Sequence, residues 1–357
     1  MSRKEKNMKS KNKKIIILIV IIAILSIIAG IVIISTKLIK KEYNTDEVIS
    51  LGSENGREQE KKENIKIYNG QDRPIAVMID NVDGARPQAG LNDAYMVYEI
   101  TVEGGLTRLM ALFKGVDLEK IGPVRSSRHY FLDYALENDA IYVHYGWSPQ
   151  AEYDISALKV NNINGITATS SQFWRVSDKL SPHNAVTSTK KILEAAKSYE
   201  YRTTSDTKSI LNYTTKEVNL DSEENSLVAN KINIPYNNTN VKYNYNTETK
   251  KYERSQDGKA HKDWITSENI NTKNIIVTFA QNVDLNDGEN KGRQDLKNIG
   301  TLEGYYITNG KAIKITCTKN SRTEKTVYKD LSGNEIEVND GNTFIQIVPI
   351  NTNITFE

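Results

Sequence analysis

The stretches RPIAVMID (73–80) and AYMVYEITVEGGLTRLMALF (94–113) decide the fold class. The first is a short apolar run that Pro74 opens and Asp80 closes, a pattern typical of a buried strand. The second contains two strand-like runs on either side of Gly104-Gly105, and a Gly-Gly pair between strands favours a two-residue hairpin loop. The sequence therefore predicts a β-sheet at the start of the folded region.

Helical patterns and one more strand follow this predicted hairpin. Capping residues and apolar periodicity indicate three helices. The predicted elements are a helix capped by Ser126 or Ser127 and ending near Asn138, a strand at 140–146, a helix from Pro149 to about Leu158, and a helix that begins at Ser188.

After about residue 202 helical periodicity disappears, and short runs rich in Tyr, Thr, Ile and Val alternate with Asn, Asp and Gly. This alternation of strand-forming and turn-forming residues predicts antiparallel strands, including a hairpin at 241–255. The expected fold class is α+β. We predict a mixed α/β domain at 71–202 and a mostly antiparallel β domain at 203–357, preceded by a transmembrane helix.

The predicted transmembrane helix is the run IIILIVIIAILSIIAGIVIIS, Ile15 to Ser35, which carries no charge over 21 residues. That length suffices to cross a hydrocarbon core of about 30 Å. Seven Lys or Arg residues precede the run and three follow it, so the positive-inside rule predicts a cytoplasmic tail at 1–14. The polar segment 36–70 is then a linker, and residues 42–357 lie outside a single-pass membrane anchor. A cleaved signal peptide is the alternative, but its apolar run is usually shorter.

Composition excludes several classes of function. The net charge of +2 hides an uneven distribution, because residues 1–41 hold ten bases and one acid, while residues 42–357 hold 37 bases and 44 acids. An acidic folded region disfavours nucleic-acid binding. Cys317 is the single cysteine, which rules out an intrachain disulfide and a cysteine-based metal site. No P-loop, GxSxG or dinucleotide fingerprint occurs, and we expect no cofactor.

Several ordered motifs resemble the YerB lipoprotein family over about residues 72–350. They are RPIAVMIDN (73–81), ARPQAGL (85–91), VYEITVEGGLTR (97–108), IGPVRSSRHYF (121–131), DAIYVHYGWSPQA (139–151), PHNAVTST (182–189), YERSQDGKAHKD (252–263), GKAIKIT (310–316) and GNTFIQIVP (341–349). The resemblance implies a two-domain extracytoplasmic protein and no particular reaction. This sequence departs from the lipoprotein members because it has an apolar helix in place of a lipidated cysteine.

The predicted hairpin supplies candidate acids for catalysis. A two-residue loop would place Glu99, Thr101, Glu103 and Arg108 on one face, with Arg108 diagonal to Glu99. Paired carboxylates are what the acid/base cleavage of a glycosidic bond requires. Arg108 would keep Glu99 ionised, which makes Glu103 the first candidate for the proton donor. The alternative is a solvated sheet face with an ion pair.

Arg125, Ser126 and Arg128 are candidate ligand-binding residues. Two arginines at the start of a helix are electrostatically unfavourable unless an anion occupies that end. The alternative is that Asp133, Glu137 or a distant carboxylate pairs with them.

Histidines and tryptophans form a third group of candidates. His144 in a predicted strand and His183 in the loop PHN, next to Asn184, would meet at one end of the sheet. With Asp80 or Glu99 they would form an acid/base pair, whereas no motif supports a metal site. The alternative for His144 is a structural role. Trp147 and Trp174 would stack on sugars, or belong to the core.

Two functions remain open from the sequence. In the first, the protein binds an anionic cell-wall polymer or lipid-linked ligand through Arg108, Arg125 and Arg128. In the second, it is a lytic transglycosylase or glycoside hydrolase that cleaves peptidoglycan glycan strands, with Glu103 or Glu99 as general acid and Asp80 or His144 as the next candidates.

Overall fold

A computed structural model describes residues 64–168, 171–223 and 225–357. The predicted cytoplasmic tail, the apolar run 15–35 and most of the predicted linker lie outside these residues. Within the described ranges, no helix has the length and apolar character needed to cross a membrane.

The described part of the chain is mostly β, with few helices. The strands are β1 Ile75–Asp80, β2 Met96–Thr101, β3 Thr107–Phe113, β4 Ile141–His144, β5 Asn162–Asn164, β6 Trp174–Arg175, β7 Ala185–Val186, β8 Asn212–Thr214, β9 Leu227–Val228, β10 Lys231–Tyr236, β11 Thr239–Asn246, β12 Lys251–Gln256, β13 Lys259–Ala260, β14 Asn271–Thr272, β15 Asn274–Asp284, β16 Gln294–Lys297, β17 Gly300–Thr308, β18 Lys311–Lys319, β19 Val327–Asp330, β20 Glu337–Asn339, β21 Thr343–Pro349 and β22 Thr355–Phe356. The helices are α1 Phe131–Glu137, α2 Pro149–Ala157 and α3 Thr189–Ser198.

Local sequence signals explain the ends of two helices. Pro149 occupies the first turn of α2, and the Ser148 hydroxyl accepts a hydrogen bond from the Ala151 amide. Ser188 caps α3 in the same way through the Lys191 amide. A serine at this position satisfies a backbone N–H that the helix itself leaves free. The predictions for both helices are confirmed.

One large sheet contains strands from both halves of the sequence. Its order is β19-β18-β17-β15-β21-β2-β3-β1-β4-β5. In addition, β16 pairs with β15 and β9 pairs with β18. Strand β21, near the C-terminus, lies parallel to both β15 and β2 and so joins the two halves. A second sheet has the order β13-β12-β11-β10-β22, with β14 beside β12.

The core has two parts, one on each face of the large sheet. On one face Met78, Tyr98 and Met110 pack with Phe131 of α1. On the other face Val77, Val97 and Leu109 pack with residues of the second sheet and of α3, among them Ile234, Tyr243 and Ile192. Alternation along each strand sends successive side chains to opposite faces, so β1, β2 and β3 are buried on both sides.

The predicted hairpin exists, but its predicted register is wrong. Glu99 faces Leu109 and Ile100 faces Arg108, one residue away from the expected pairing. The connection is longer than predicted because Glu103–Gly105 forms a turn, closed by a hydrogen bond of 2.8 Å from the Val102 amide to the Leu106 carbonyl. Shifting a register by one residue moves a side chain to the other face. Arg108 therefore does not share a face with Glu99.

The start of the first helix is also corrected. Helix α1 begins at Phe131, not at Ser126 or Ser127. The preceding backbone is held in extended pairing, with the Arg125 amide donating to the Met78 carbonyl and the Ser127 amide to the Gly146 carbonyl. These hydrogen bonds compete with a helical turn. Arg125 and Arg128 therefore do not lie at a helix terminus.

Candidate functional site

A cleft of about 310 Å³ lies at the end of the β2–β3 hairpin and is named the hairpin cleft here. It brings together five of the candidate residues from the sequence, Asp80, Glu103, Arg108, Arg125 and Arg128. The other lining residues are Val82, Val102, Leu106, Thr107, Lys291 and Arg293.

The β1–β3 pairing positions the back of the hairpin cleft. Asp80 ends β1 and lies opposite Arg108 on β3, so their side chains project from the same face. The segment that leads to Arg125 runs beside β1, because the Asp80 amide donates to the Pro123 carbonyl over 2.9 Å. Three separate segments therefore place their charged side chains together.

Asp80 is buried and has two cationic or protonatable partners. Its Oδ2 lies 2.7 Å from Nδ1 of His183 and 3.2 Å from Nε of Arg125. The predicted pairing of His183 with Asp80 is therefore present. The contact between Asp80 and Arg125 shows that a carboxylate distant in sequence pairs with this arginine. That pairing was one of the two alternatives predicted for Arg125.

Glu103 and Arg128 form a bidentate ion pair in the hairpin cleft. Nε of Arg128 faces Oε1 of Glu103, and Nη2 lies 2.8 Å from Oε2. Burial raises the pKa of Glu103, but the hydrogen bond and charge of Arg128 outweigh this effect, so the pKa lies below its ordinary value. The expectation that Glu103 stays free to hold a proton is therefore wrong.

Arg108 is a buried cation without an ion pair to any described residue. Its side chain donates one hydrogen bond, from Nη1 to the Ser126 carbonyl over 2.7 Å. Burial, followed by the nearby charge of Arg128, lowers the pKa of Arg108 to about 10. The charges of Asp80 and Glu103 oppose this lowering but do not outweigh it. A buried charge without a directly paired opposite charge is costly.

Lys291 and Arg293 reach the cleft from the loop between β15 and β16. Arg293 pairs with Asp287 and Glu289, and Lys291 pairs with Glu289 over 2.9 Å. Sequence reasoning missed both cations, because they lie more than 160 residues after Arg125. Their only local signal is a charged, Gly- and Asn-rich segment, which is typical of any surface loop.

Glu99 lies away from the hairpin cleft and is fully buried. It accepts hydrogen bonds from Arg254, Thr107 and Asn81, and also from Gln346. The predicted diagonal contact with Arg108 is replaced by this pairing with Arg254. A carboxylate with so many donors and no exposure has no access to a substrate.

His144 is also a structural residue in the described chain. Its Nδ1 lies 2.8 Å from the Gly146 carbonyl and its Nε2 lies 3.0 Å from Oδ1 of Asn162. Burial lowers its pKa below the ordinary value. It forms no described contact with His183, Asp80 or Glu99, so the predicted meeting of the two histidines does not occur. Among residues 64–168, 171–223 and 225–357, no group of three or more His, Cys, Asp or Glu side chains is placed to hold a metal ion.

The remaining candidates do not line the hairpin cleft. The Trp147 ring is half-buried and packs 5.6 Å from the ring of His144, measured between centroids. Trp174 lies in β6, with the Lys191 ammonium 5.8 Å from its ring centre. Asn184 accepts a hydrogen bond of 2.6 Å from Arg175. Ser126 contributes to the cleft only through its carbonyl oxygen, which binds Arg108.

Cys317 does not offer a nucleophile. It is buried, and burial raises the pKa of its thiol to about 12. The Thr278 hydroxyl donates a hydrogen bond to its sulfur over 3.3 Å. A thiol reacts as the thiolate, so this cysteine is inert near neutral pH.

The fold and cleft define a mostly β protein in which two successive segments share one sheet. Two family models match these segments, described as the N-terminal and C-terminal domains of a protein of unknown function (DUF3048), over residues 60–202 and 232–345. The chain is 32% identical over 287 residues to a Bacillus subtilis (strain 168) protein named "Putative lipoprotein YerB", covering 78% of this chain and 81% of that protein. It therefore belongs to the YerB-like family, as the sequence motifs predicted.

A solved structure agrees with this assignment. The crystal structure of the YerB protein from Bacillus subtilis superposes with a TM-score of 0.70 at 30% sequence identity. The match covers 80% of this chain and 94% of that one.

Proposed function

We propose that this chain is a membrane-anchored extracytoplasmic protein of the cell envelope that binds an anionic ligand in the hairpin cleft. The name of the Bacillus relative supports the location, because a lipoprotein is held to a membrane by its lipid. The charge asymmetry around the apolar run 15–35 supports the same orientation here, with a helix as the anchor in place of a lipid.

The buried guanidinium of Arg108, which has no ion pair within the described part of the chain, carries the proposal for an anion. Asp80 and Glu103, the two carboxylates of the cleft, are each held by another arginine. Arg108 forms no ion pair with any described residue, and the charges of Asp80 and Glu103 offset the cost of its burial only in part, so its pKa falls to about 10. A phosphate or carboxylate at this position would accept its remaining donors and offset that cost.

The geometry favours binding over glycan cleavage. A general acid must hold a proton at the working pH and reach the leaving oxygen. Glu103 is held ionised by Arg128, and Glu99 is enclosed by its donors. Asp80 is 2% exposed and shared between Arg125 and His183. The ligand that fits the location is a cell-wall polymer or a lipid-linked molecule with an anionic group.

Calorimetric titration tests the binding site. We expect glycerol phosphate to bind the full chain in micelles of a non-ionic maltoside detergent, and Arg108→Gln to weaken the affinity by at least about tenfold, the usual value of a hydrogen bond to a charged group. Arg73→Gln is the matched control, because Arg73 is buried in an ion pair with Asp139 outside the cleft. Equal affinities for the wild type and Arg108→Gln would refute the site.

Protease protection tests the location. Protease added to intact protoplasts should digest residues 42–357, whereas the same protease should leave a cytoplasmic marker protein intact. Protection of that region in protoplasts, with digestion after lysis, would contradict the orientation.

A further inference from the structure

We infer that the ligand of the hairpin cleft is amphiphilic, with one oxyanion head bound at Arg108 and an aliphatic chain along the hairpin end. This inference rests on the proposed function and selects, between the two ligand sources named there, a lipid-like molecule over a glycan polymer.

The lining of the cleft is divided into a cationic part and an aliphatic part. Val82, Val102 and Leu106 contribute aliphatic side chains. Val102 and Leu106 lie opposite each other at the end of the hairpin, joined by the amide-to-carbonyl hydrogen bond of 2.8 Å. Leu106 keeps 37% of its surface exposed. Apolar surface of this kind is stabilised when a ligand covers it.

The strand register places the two parts on one face. Leu106 and Arg108 are two residues apart on the same edge of the hairpin, so their side chains point to the same side. A separation of two residues along a strand is about 7 Å. An anionic head at Arg108 therefore places the first methylenes of an attached chain over Leu106, beside the buried Val102.

The cleft also lacks the features that would favour a sugar polymer. None of its described lining residues is aromatic, and the candidate stacking residues Trp147 and Trp174 lie elsewhere. Its volume of about 310 Å³ is at the small end of the range for ligand sites. That space accommodates a head group and part of one chain.

Two phosphates that differ only in chain length test the inference. Methyl phosphate and hexyl phosphate are titrated into the full chain in micelles of a non-ionic maltoside detergent, which carries no anionic head, with protein-free micelles as the blank. We expect hexyl phosphate to bind about tenfold more tightly, which corresponds to burial of roughly two methylene groups. Hexanoate replaces hexyl phosphate in a parallel titration, and binding of that ligand at similar strength would identify a carboxylate head in the same class.

Variants of the protein measure separately how the aliphatic chain and the anionic head of the ligand contribute to affinity. Leu106→Asn should reduce the advantage of hexyl over methyl phosphate to less than about threefold. Leu331→Asn is the matched control, because Leu331 is an aliphatic residue with 57% exposure outside the cleft. It should behave as the wild type. Arg108→Gln should weaken both phosphates.

The outcomes distinguish the two proposals. If methyl phosphate binds through Arg108 but hexyl phosphate binds no more tightly, the anion site stands and the amphiphilic ligand is refuted. If hexyl phosphate binds more tightly and Leu106→Asn retains that advantage, the chain lies elsewhere and the inference is also refuted. If Arg108→Gln changes neither affinity, the proposed function itself fails.

Discussion

Glu99 on β2 and Arg254 on β12 form a fully buried ion pair that joins the two sheets. Nη2 of Arg254 lies 3.0 Å from Oε1 and 2.8 Å from Oε2 of Glu99, and neither side chain is exposed. Burial opposes the charge of Arg254, but Glu99 outweighs it, so the pKa of Arg254 lies above its ordinary value. The pair couples the first half of the sequence to the second.

Breaking this pair should destabilise the fold strongly. Glu99→Gln leaves the Arg254 charge buried without compensation, and we expect a loss of about 3–5 kcal/mol in the free energy of unfolding. Urea unfolding of the full chain measures it. Glu217→Gln is the control, because Glu217 forms an exposed pair with Lys250 and its loss should not be detectable. A similar urea midpoint for both variants would contradict this account.

Replacing Arg108 should abolish binding without weakening the fold. Since burial lowers the pKa of Arg108 to about 10, the charged side chain destabilises the folded state at neutral pH. Arg108→Met removes that cost, and among the described residues only the Ser126 carbonyl loses a donor. We expect an unfolding midpoint equal to or above that of the wild type in the absence of ligand, together with loss of phosphate binding. A marked drop in the midpoint would show that Arg108 serves the structure.

His261 should make the fold sensitive to mild acid. Burial, followed by the charges of Arg254 and Arg86, lowers its pKa well below the ordinary value of 6.5. Below about pH 6.5 the unfolded chain therefore binds a proton at His261 that the folded chain does not bind, and stability falls as pH falls, by at most about 1.4 kcal/mol per pH unit. Urea unfolding between about pH 5 and pH 7.5 measures the slope.

The variant His261→Gln provides the comparison. It keeps a polar group next to Arg254 and Gln88, the hydrogen-bond partners of His261. Its stability should depend less on pH over the same range, although His144, whose pKa is also lowered, contributes a slope of the same sign. Parallel curves for the two proteins would show that His261 does not titrate as stated.

The turn that sets the hairpin register should tolerate alanine at its two glycine positions to different degrees. Both Gly104 and Gly105 have φ of +68°, so an alanine at either position adopts a left-handed conformation that costs about 1–2 kcal/mol. A Cβ at Gly105 would also lie 2.8 Å from Cβ of Asn237, whereas a Cβ at Gly104 meets nothing within 4 Å. Gly105→Ala should therefore unfold at a lower urea concentration than Gly104→Ala. The reverse order would contradict the described turn.

Local patterns predicted the secondary structure of several segments well. The strand at 140–146, the helices from Pro149 and Ser188, and the hairpin at 241–255 all occur. Each depends on interactions within a few residues, such as a capping serine or the alternation of apolar side chains. The start of α1 was predicted wrongly because Ser127 pairs with a strand-like segment around Gly146, which no local pattern indicates.

The candidate site was predicted only in part, for a related reason. The sequence identified Asp80, Glu103 and the three arginines as chemically significant, and the structure places all of them in one cleft. It paired Arg108 with Glu99, which is wrong, and it did not identify Asp80 and Glu103 as the partners of Arg125 and Arg128. One extra residue in the hairpin turn moved Arg108 to the face of Asp80, and the pairing of Glu99 with Arg254 depends on a strand 155 residues away.

The sequence by itself determined the positions of several strands and two helices, the charge distribution and the membership in the YerB-like family, because these depend on residue type and on neighbours along the chain. The tertiary structure decided that β21 joins both halves into one sheet, that Glu99 is enclosed and that Arg108 has no ion pair with the residues the structure describes. These features arise from contacts between residues distant in sequence. Such contacts are selected by the burial of apolar surface and the pairing of charge across the whole fold.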